Sequence, residues 1–585
     1  MAEASIKQTP QHAHRDHRRD YTVDHRLLLL AALAVLVGGL GTLAAFVLLK
    51  LIFFFTNLFF FQTLSLAEHS PAQHHLGLWV VLVPVLGGLM VGLMARFGSD
   101  KIRGHGIPEA LEVILFGKSR MSGRVAVLKP LSSGIVIGSG GPFGAEGPII
   151  MTGGALGSLL AQFLHLTAAE RKTLLVAGAC AGMTAIFGTP VAAVLLAVEL
   201  LLFELRPRSL LPVAVACAVA GFARPLLLGA GPLFALQTPP ATDMALVSCV
   251  IAGLLSGALA AVVTLALYKT EDLFGHLKLH WMWWPAIGGL VVGLGGLIEP
   301  RALGVGYDVI GDLLNNRLAL GVVVALLTVK AVIWVAALGS GTSGGVLAPL
   351  LMIGAGLGVA LAHVLPGGSP QLWALVCMAG VLASVLGAPL TAIVFAFGLT
   401  HDTEALLPLL LTTVVAYGFT ALVLRRSIMT EKIARRGLHI YREYGIDPLE
   451  SQHVADLMTR KLVTVDGAEP AAAVFARYFS GPQGHRRYPV VHKGRLIGML
   501  EREVLRDQEH SLQPCAALFC DIPATARPEE TARAVAGRMT ELRVSSLPVV
   551  ADEVSMRLVG VIALSDLLRP QQAVVVAETV RERLR

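Results

Sequence analysis

Charge is what this chain has least of. Among its 585 residues only 15% are Asp, Glu, Lys or Arg, while 55% are hydrophobic, and the mean hydropathy is +0.69. Soluble domains carry about 25% charged residues, so a soluble multidomain protein is excluded. Cysteine is also scarce. Four of the six cysteines (Cys180, Cys217, Cys249, Cys377) are scattered through apolar segments and two (Cys515, Cys520) lie near the C-terminus. No CxxC pair or His/Cys cluster occurs, which leaves neither a disulfide framework nor a metal site. No nucleophile–base–orienter set and no phosphate loop emerges, so an enzyme is not indicated. A divalent-cation transporter needs clustered carboxylates in the membrane, and 331–400 offers none.

What is present are long uncharged runs. Residues 27–49, 76–95, 173–198, 244–268 and 331–400 contain no Asp, Glu, Lys or Arg. A spanning helix needs about 20 apolar residues, so the chain reads as a polytopic, all-α membrane protein. Ahead of the first run, 1–26 holds Arg15, Arg18, Arg19 and four histidines against Asp16, Asp20 and Asp24. It reads as a cytoplasmic segment, not a signal peptide, since no small-residue cleavage site follows. Arg425, Arg426, Lys432, Arg435 and Arg436 directly follow the last apolar run and predict a cytoplasmic C-terminus. The net charge of +7 therefore reads as membrane orientation and not as nucleic-acid binding.

Composition shifts near residue 425, and beyond it lies an internal repeat. Tyr488-Pro489-Val490-Val491 and Leu496-Ile497-Gly498-Met499-Leu500 recur as Leu547-Pro548-Val549-Val550 and Leu558-Val559-Gly560-Val561-Ile562. Each copy reads strand, turn, strand, short helix, preceded by an amphipathic helix over 471–478 or 531–542. The pair resembles tandem CBS domains, with boundaries at 450–510 and 511–570 and a tail at 571–585.

Inside the apolar part, three glycine-rich turns run into proline: Gly106-Ile107-Pro108, Gly147-Pro148, and Gly344-Gly345-Val346-Leu347-Ala348-Pro349. Proline suits the first turn of a helix and glycine allows close backbone approach, so each reads as a helix N-terminus. At membrane depth the free N–H groups and the positive end of the helix dipole need a partner, and an anion supplies one. Two such turns in one half and one in the other fit inverted repeats whose broken helices meet at the midplane. Glu146 lies within Gly144-Ala145-Glu146-Gly147-Pro148. A carboxylate there costs several kcal/mol, which makes it a candidate on an ion or proton path.

Together these turns, as Gly104-His105-Gly106-Ile107-Pro108, Gly144-Ala145-Glu146-Gly147-Pro148 and Gly344-Gly345-Val346-Leu347-Ala348-Pro349, resemble in order and spacing the signature motifs of the CLC family of chloride channels and proton/chloride exchangers. Ser427-Ile428-Met429-Thr430 resembles the start of that family's last membrane helix, and many members carry a CBS pair beyond it. The resemblance implies a homodimer with one anion path per subunit in a membrane domain over 27–437. It implies that amides near Gly106, Ile107, Gly147, Val346 and Leu347 bind a dehydrated chloride or similar anion. His105 and Met429 stand where the family has a coordinating serine and tyrosine. Glu146 matches the gating glutamate, which competes with anions and swings aside when protonated. His105 either donates to the anion or turns its imidazole to a nearby carbonyl. Ala145 and Leu347 replace the arginine beside the gate and the phenylalanine of the third motif.

Proton-coupled members have a second, inner glutamate. Aligned on Pro190, that position holds Leu200, with Glu199 one residue earlier and facing elsewhere; Glu199 is expected to pair with a basic group in preference to relaying a proton. Glu109, Glu112 and Glu204 are expected at helix ends or in structural pairs. The expected function is channel-like or weakly proton-coupled anion transport, the alternative a stoichiometric antiporter. Chloride selectivity over other anions is left open. In the CBS pair, the nucleotide pattern survives only around Ser565 and Asp566, so an adenine nucleotide is doubtful and a structural brace is preferred. The expected setting is a prokaryotic plasma membrane.

Overall fold

The computed structural model describes residues 25–437, 449, 452–480, 487–505, 511–519 and 524–570. The segment 1–24, Cys520 and the tail 571–585 lie outside the described residues. The chain divides into two compact units at Glu443/Tyr444.

The first unit is helical and built twice. Its first half runs α1 (Arg26–Phe61), α2 (Leu82–Phe97), α3 (Ile107–Leu115), α4 (Gly123–Gly138), α5 (Glu146–Gln162), α6 (Ala168–Phe187), α7 (Pro190–Leu196) and α8 (Pro207–Leu227). Its second half repeats the order with α9 (Ala245–His276), α10 (Trp284–Ile298), α11 (Tyr307–Leu314), α12 (Leu320–Gly339), α13 (Leu347–Leu361), α14 (Pro370–Leu386), α15 (Pro389–Thr400) and α16 (Leu406–Val423). A last helix, α17 (Ile428–Arg435), follows. The punctuation repeats with the helices. Gly106 (φ 91°) and Gly306 (φ 77°) precede α3 and α11, and Gly188 (φ 70°) and Gly387 (φ 68°) end α6 and α14 two residues before a helix-starting proline. Within each half the same neighbours pack: α5 on α6 and α13 on α14, α1 on α8 and α9 on α16.

Among the described residues seven helices are long and apolar enough to cross a membrane. Several others are not. The uncharged run 173–198 does not form one span: it breaks at Gly188, and 331–400 divides among α12, α13, α14 and α15. α15, with 12 residues, reaches only about 18 Å at 1.5 Å per residue. Such fragments have ends inside the protein, and those ends are where polar chemistry becomes possible.

The second unit contains two small sheets with matching irregularities. β1 (Val465–Asp466) runs parallel to β2 (Arg487–His492), which pairs antiparallel with β3 (Arg495–Glu501); β4 (Ser546–Val550) pairs antiparallel with β5 (Leu558–Ala563). The register shifts at Val490/Val491 in one copy and at Val549/Val550 in the other, the same place in the repeated Pro-Val-Val. Helices Ala471–Tyr478 and Ala532–Leu542 precede β2 and β4. The copies interlock through a Leu496 N–H donating to Met556 O (2.9 Å), an Arg487 guanidinium on Ser546 O (3.1 Å), and packing of Leu496 on Val550 and Met556.

Candidate anion site

The three glycine-proline turns, far apart in sequence, converge. Gly104 pairs in parallel with Ser343, and Gly144 pairs antiparallel with Gly345. The Gly345 N–H donates to Gly144 O at 3.0 Å. Because those two segments run antiparallel, α5 and α13 start face to face and leave in opposite directions, as inverted repeats require.

Val346, the N-cap of α13, supplies no side-chain cap. The cap comes from the opposite half. Glu146, the first residue of α5 and fully buried, directs Oε1 at the start of α13, where it accepts hydrogen bonds from the Leu347 N–H and from the Ala348 N–H at 3.3 Å. Its Oε2 has no hydrogen-bond partner. A buried carboxylate held by unsatisfied helix N–H groups occupies the kind of place an anion would take. Gly147 packs so close to the His105 carbonyl that a side chain there would collide with it, which ties the first two motifs together.

At the first turn the arrangement differs from expectation. The expected Gly106 donor is occupied, because Glu109 three residues on reaches back and accepts the Gly106 N–H at 2.9 Å, as in a capping box. Glu109 in turn pairs with Lys432 of α17. Ile107 begins α3 and is buried. His105 is buried with Nδ1 unpartnered, so the reading in which the imidazole turns to a carbonyl through that atom is not what is observed. Beside it opens a cavity of about 460 Å³ lined by Arg103, His105, Glu109, Lys432 and Arg436 among others. Met429 is wholly buried in the first turn of α17, which packs on α3.

Glu199 lies in a π-helical stretch, Ala197–Leu202, that continues α7. The expected basic partner is replaced by a helix end. Its carboxylate accepts the Leu390 N–H (3.2 Å), the Thr391 N–H (2.7 Å) and the Thr391 hydroxyl (2.6 Å) at the start of α15. Leu200 is buried. Glu112 pairs with Arg436, and Glu204 lies 3.8 Å from both Lys172 and Arg206 and accepts the Ser209 hydroxyl at 2.7 Å.

Three residues carry more than the sequence reading gave them. Ala348 is a donor to Glu146, which followed from the motif register once Leu347 is the first helical residue. Lys129 and Lys330, each the one charge in the apolar body of its helix beyond the first turn, are fully buried and clamp the turns before α3 and α11. Their isolation in apolar sequence was the available signal.

In the second unit, Asp566 is buried, accepts the Ala563 N–H at 2.9 Å and pairs with Arg569 at 2.7 Å, whereas Ser565 is exposed. The five described cysteines are buried, unbridged thiols.

The fold and site define a multi-pass membrane protein of two inverted helical halves, in which the Glu146 carboxylate of one half caps the start of a broken helix of the other. The chain belongs to the family described as voltage gated chloride channel, whose profile matches 86–421, and the CBS domain profile matches 454–508 and 520–571. It is 28% identical over 351 residues to the putative chloride channel protein ClcB-like of Ralstonia nicotianae, covering 58% of this chain and 81% of that protein. It is also 28% identical over 419 residues to the H(+)/Cl(-) exchange transporter ClcA of Salmonella paratyphi A, covering 68% and 86%. Among solved structures, a slow cyanobacterial Cl−/H+ antiporter superposes with a TM-score of 0.61 at 22% identity over 71% of this chain and 99% of the other. A eukaryotic CLC transporter does so with 0.55 at 20% over 92% and 98%. At these identities the structural likeness bears on the fold.

Proposed function

We propose that this protein transports chloride or a similar small anion across the membrane, along a path in each subunit gated by Glu146. The observation that carries this is the Glu146 carboxylate seated on the Leu347 and Ala348 N–H groups, at a helix start with no other cap. Charge decides the occupant. While ionised, the carboxylate holds the site; protonation removes its charge, its attraction to the helix end falls, and a chloride ion takes its place. Amides at Ile107, Gly147, Val346 and Leu347, with His105 and Met429 beside them, would line the path. Anion flux from proteoliposomes containing Glu146→Ala tests the reading: flux should persist without its pH dependence, and an unchanged pH profile would remove Glu146 as the gate.

Transport is channel-like or weakly proton-coupled in this reading. Leu200 cannot relay a proton, and Glu199 is committed to the start of α15. Stoichiometric exchange is the second reading, favoured by relatives named as H(+)/Cl(-) exchange transporters. Chloride efflux that drives uphill proton uptake would establish it over the first. A homodimer, cytoplasmic termini and a prokaryotic plasma membrane complete the proposal. The CBS pair acts as a brace, given that Asp566 is already engaged by Ala563 and Arg569.

A further inference from the structure

Among the buried polar atoms without a hydrogen-bond partner are Glu146 Oε2 and the Tyr307 hydroxyl. A buried polar atom without a partner is costly, so two of them on packed elements call for a state in which they are satisfied. Tyr307 is the first residue of α11, directly after the Gly306 turn. α11 packs on α13, with Gly306 set against Met352 of α13, the helix whose start Glu146 caps; the charges of Glu146 and Glu68 both act on the phenol. The ring is held edge-on by Phe187 (centroids 6.2 Å apart) and by Phe234 (6.3 Å), which fixes where the hydroxyl points. Tyr307 also lines a cavity of about 510 Å³ together with Lys50, Glu68, His69, Arg224 and Asp308.

We infer that the Tyr307 hydroxyl is the landing point of the Glu146 side chain when it leaves the Leu347 and Ala348 amides. In that position the neutral carboxyl donates its O–H to the phenol oxygen, and the phenol O–H turns to the polar cavity. Tyr307 is thus a positioning residue for the gate and has no part in holding the anion. The inference rests on the gate reading above.

The groups facing this pair are Lys330 near Glu146, and Lys50, Glu68, His69, Arg224 and Asp308 around the cavity. Tyr307→Phe leaves every one of them and the aromatic packing in place. In proteoliposomes of the full chain, Tyr307→Phe should lower chloride flux at acid pH about threefold to tenfold, the worth of one hydrogen bond, and move the activation profile to lower pH. In a Glu146→Ala background the same substitution should change nothing. A wild-type profile in Tyr307→Phe, or an equal loss of flux in the Glu146→Ala background, overturns the inference while leaving the gate reading intact. If Glu146→Ala itself kept the wild-type pH profile, the gate reading would fall first.

Discussion

Lys129 and Lys330 perform the same act in opposite halves of the membrane unit. Lys129 Nζ donates to Ile102 O and Gly104 O, both at 2.8 Å; Lys330 Nζ donates to Ala302 O and Gly304 O, both at 2.9 Å. Each fixes the turn that leads into a short helix, α3 or α11, and both ammonium groups are fully buried. A buried cation is tolerated where fixed carbonyls replace its water, and here two carbonyls per lysine do so.

From this equivalence follows a paired stability prediction. Lys129→Met and Lys330→Met each orphan two buried carbonyls, at about 1–3 kcal/mol per group, offset in part by the smaller desolvation cost of methionine. Both variants should melt at lower temperature in detergent by similar amounts. A loss in one and none in the other would show that the two clamps are not equivalent.

For the gate, the sign of the pH effect is fixed by chemistry. On the proposed gating role, lowering pH protonates Glu146 and frees the α13 start for an anion, so wild-type flux should rise as pH falls. Glu146→Gln, which mimics the neutral carboxyl, should conduct at a level that changes little with pH, measured as initial chloride efflux across a pH series. Flux in Glu146→Gln that still climbs on acidification would place the titrating group elsewhere, with His105 the first candidate to replace.

How far the sequence alone reaches depends on whether the cause is local. Glycine followed by proline acts over a few residues, so the helix starts at Ile107, Glu146 and Leu347 were readable. The isolation of Glu146 in uncharged sequence marked it as well. What it touches was not readable residue by residue, since Leu347 is 201 positions away. Glu199 makes the same point: an acid in an apolar helix suggested a basic partner, yet its partners are N–H groups 191 and 192 positions on, at a helix start that exists only because α15 is a fragment. Gly106 failed as a free donor for a local reason. Glu109 stands at the capping-box position, and that signal was present in the sequence.

In the second CBS domain, Asp566 gives a test of the brace. Asp566→Ala removes the bond from the Ala563 N–H and the pair with Arg569, and as a lost helix-start cap it should cost about 1 kcal/mol. The full chain should lose thermal stability in the CBS transition, and added ATP or AMP should not raise that transition in wild type. A nucleotide-dependent rise in wild type that Asp566→Ala abolishes would make Asp566 a ligand contact and the pair a sensor.

Glu199 offers the test of whether protons take part. Its carboxylate caps α15 from another helix, and a cap needs acceptor oxygens and not a titrating proton. Glu199→Gln keeps an acceptor, so anion flux, its pH profile and any accompanying proton movement should all stay near wild type. Glu199→Ala removes all three bonds and should destabilise the protein by about 1–2 kcal/mol, seen as a lower melting temperature in detergent. The two variants together separate the roles. If Glu199→Gln abolished proton movement while chloride flux continued, Glu199 would be the inner proton acceptor despite its place one residue before Leu200, and coupled exchange would replace the channel-like reading.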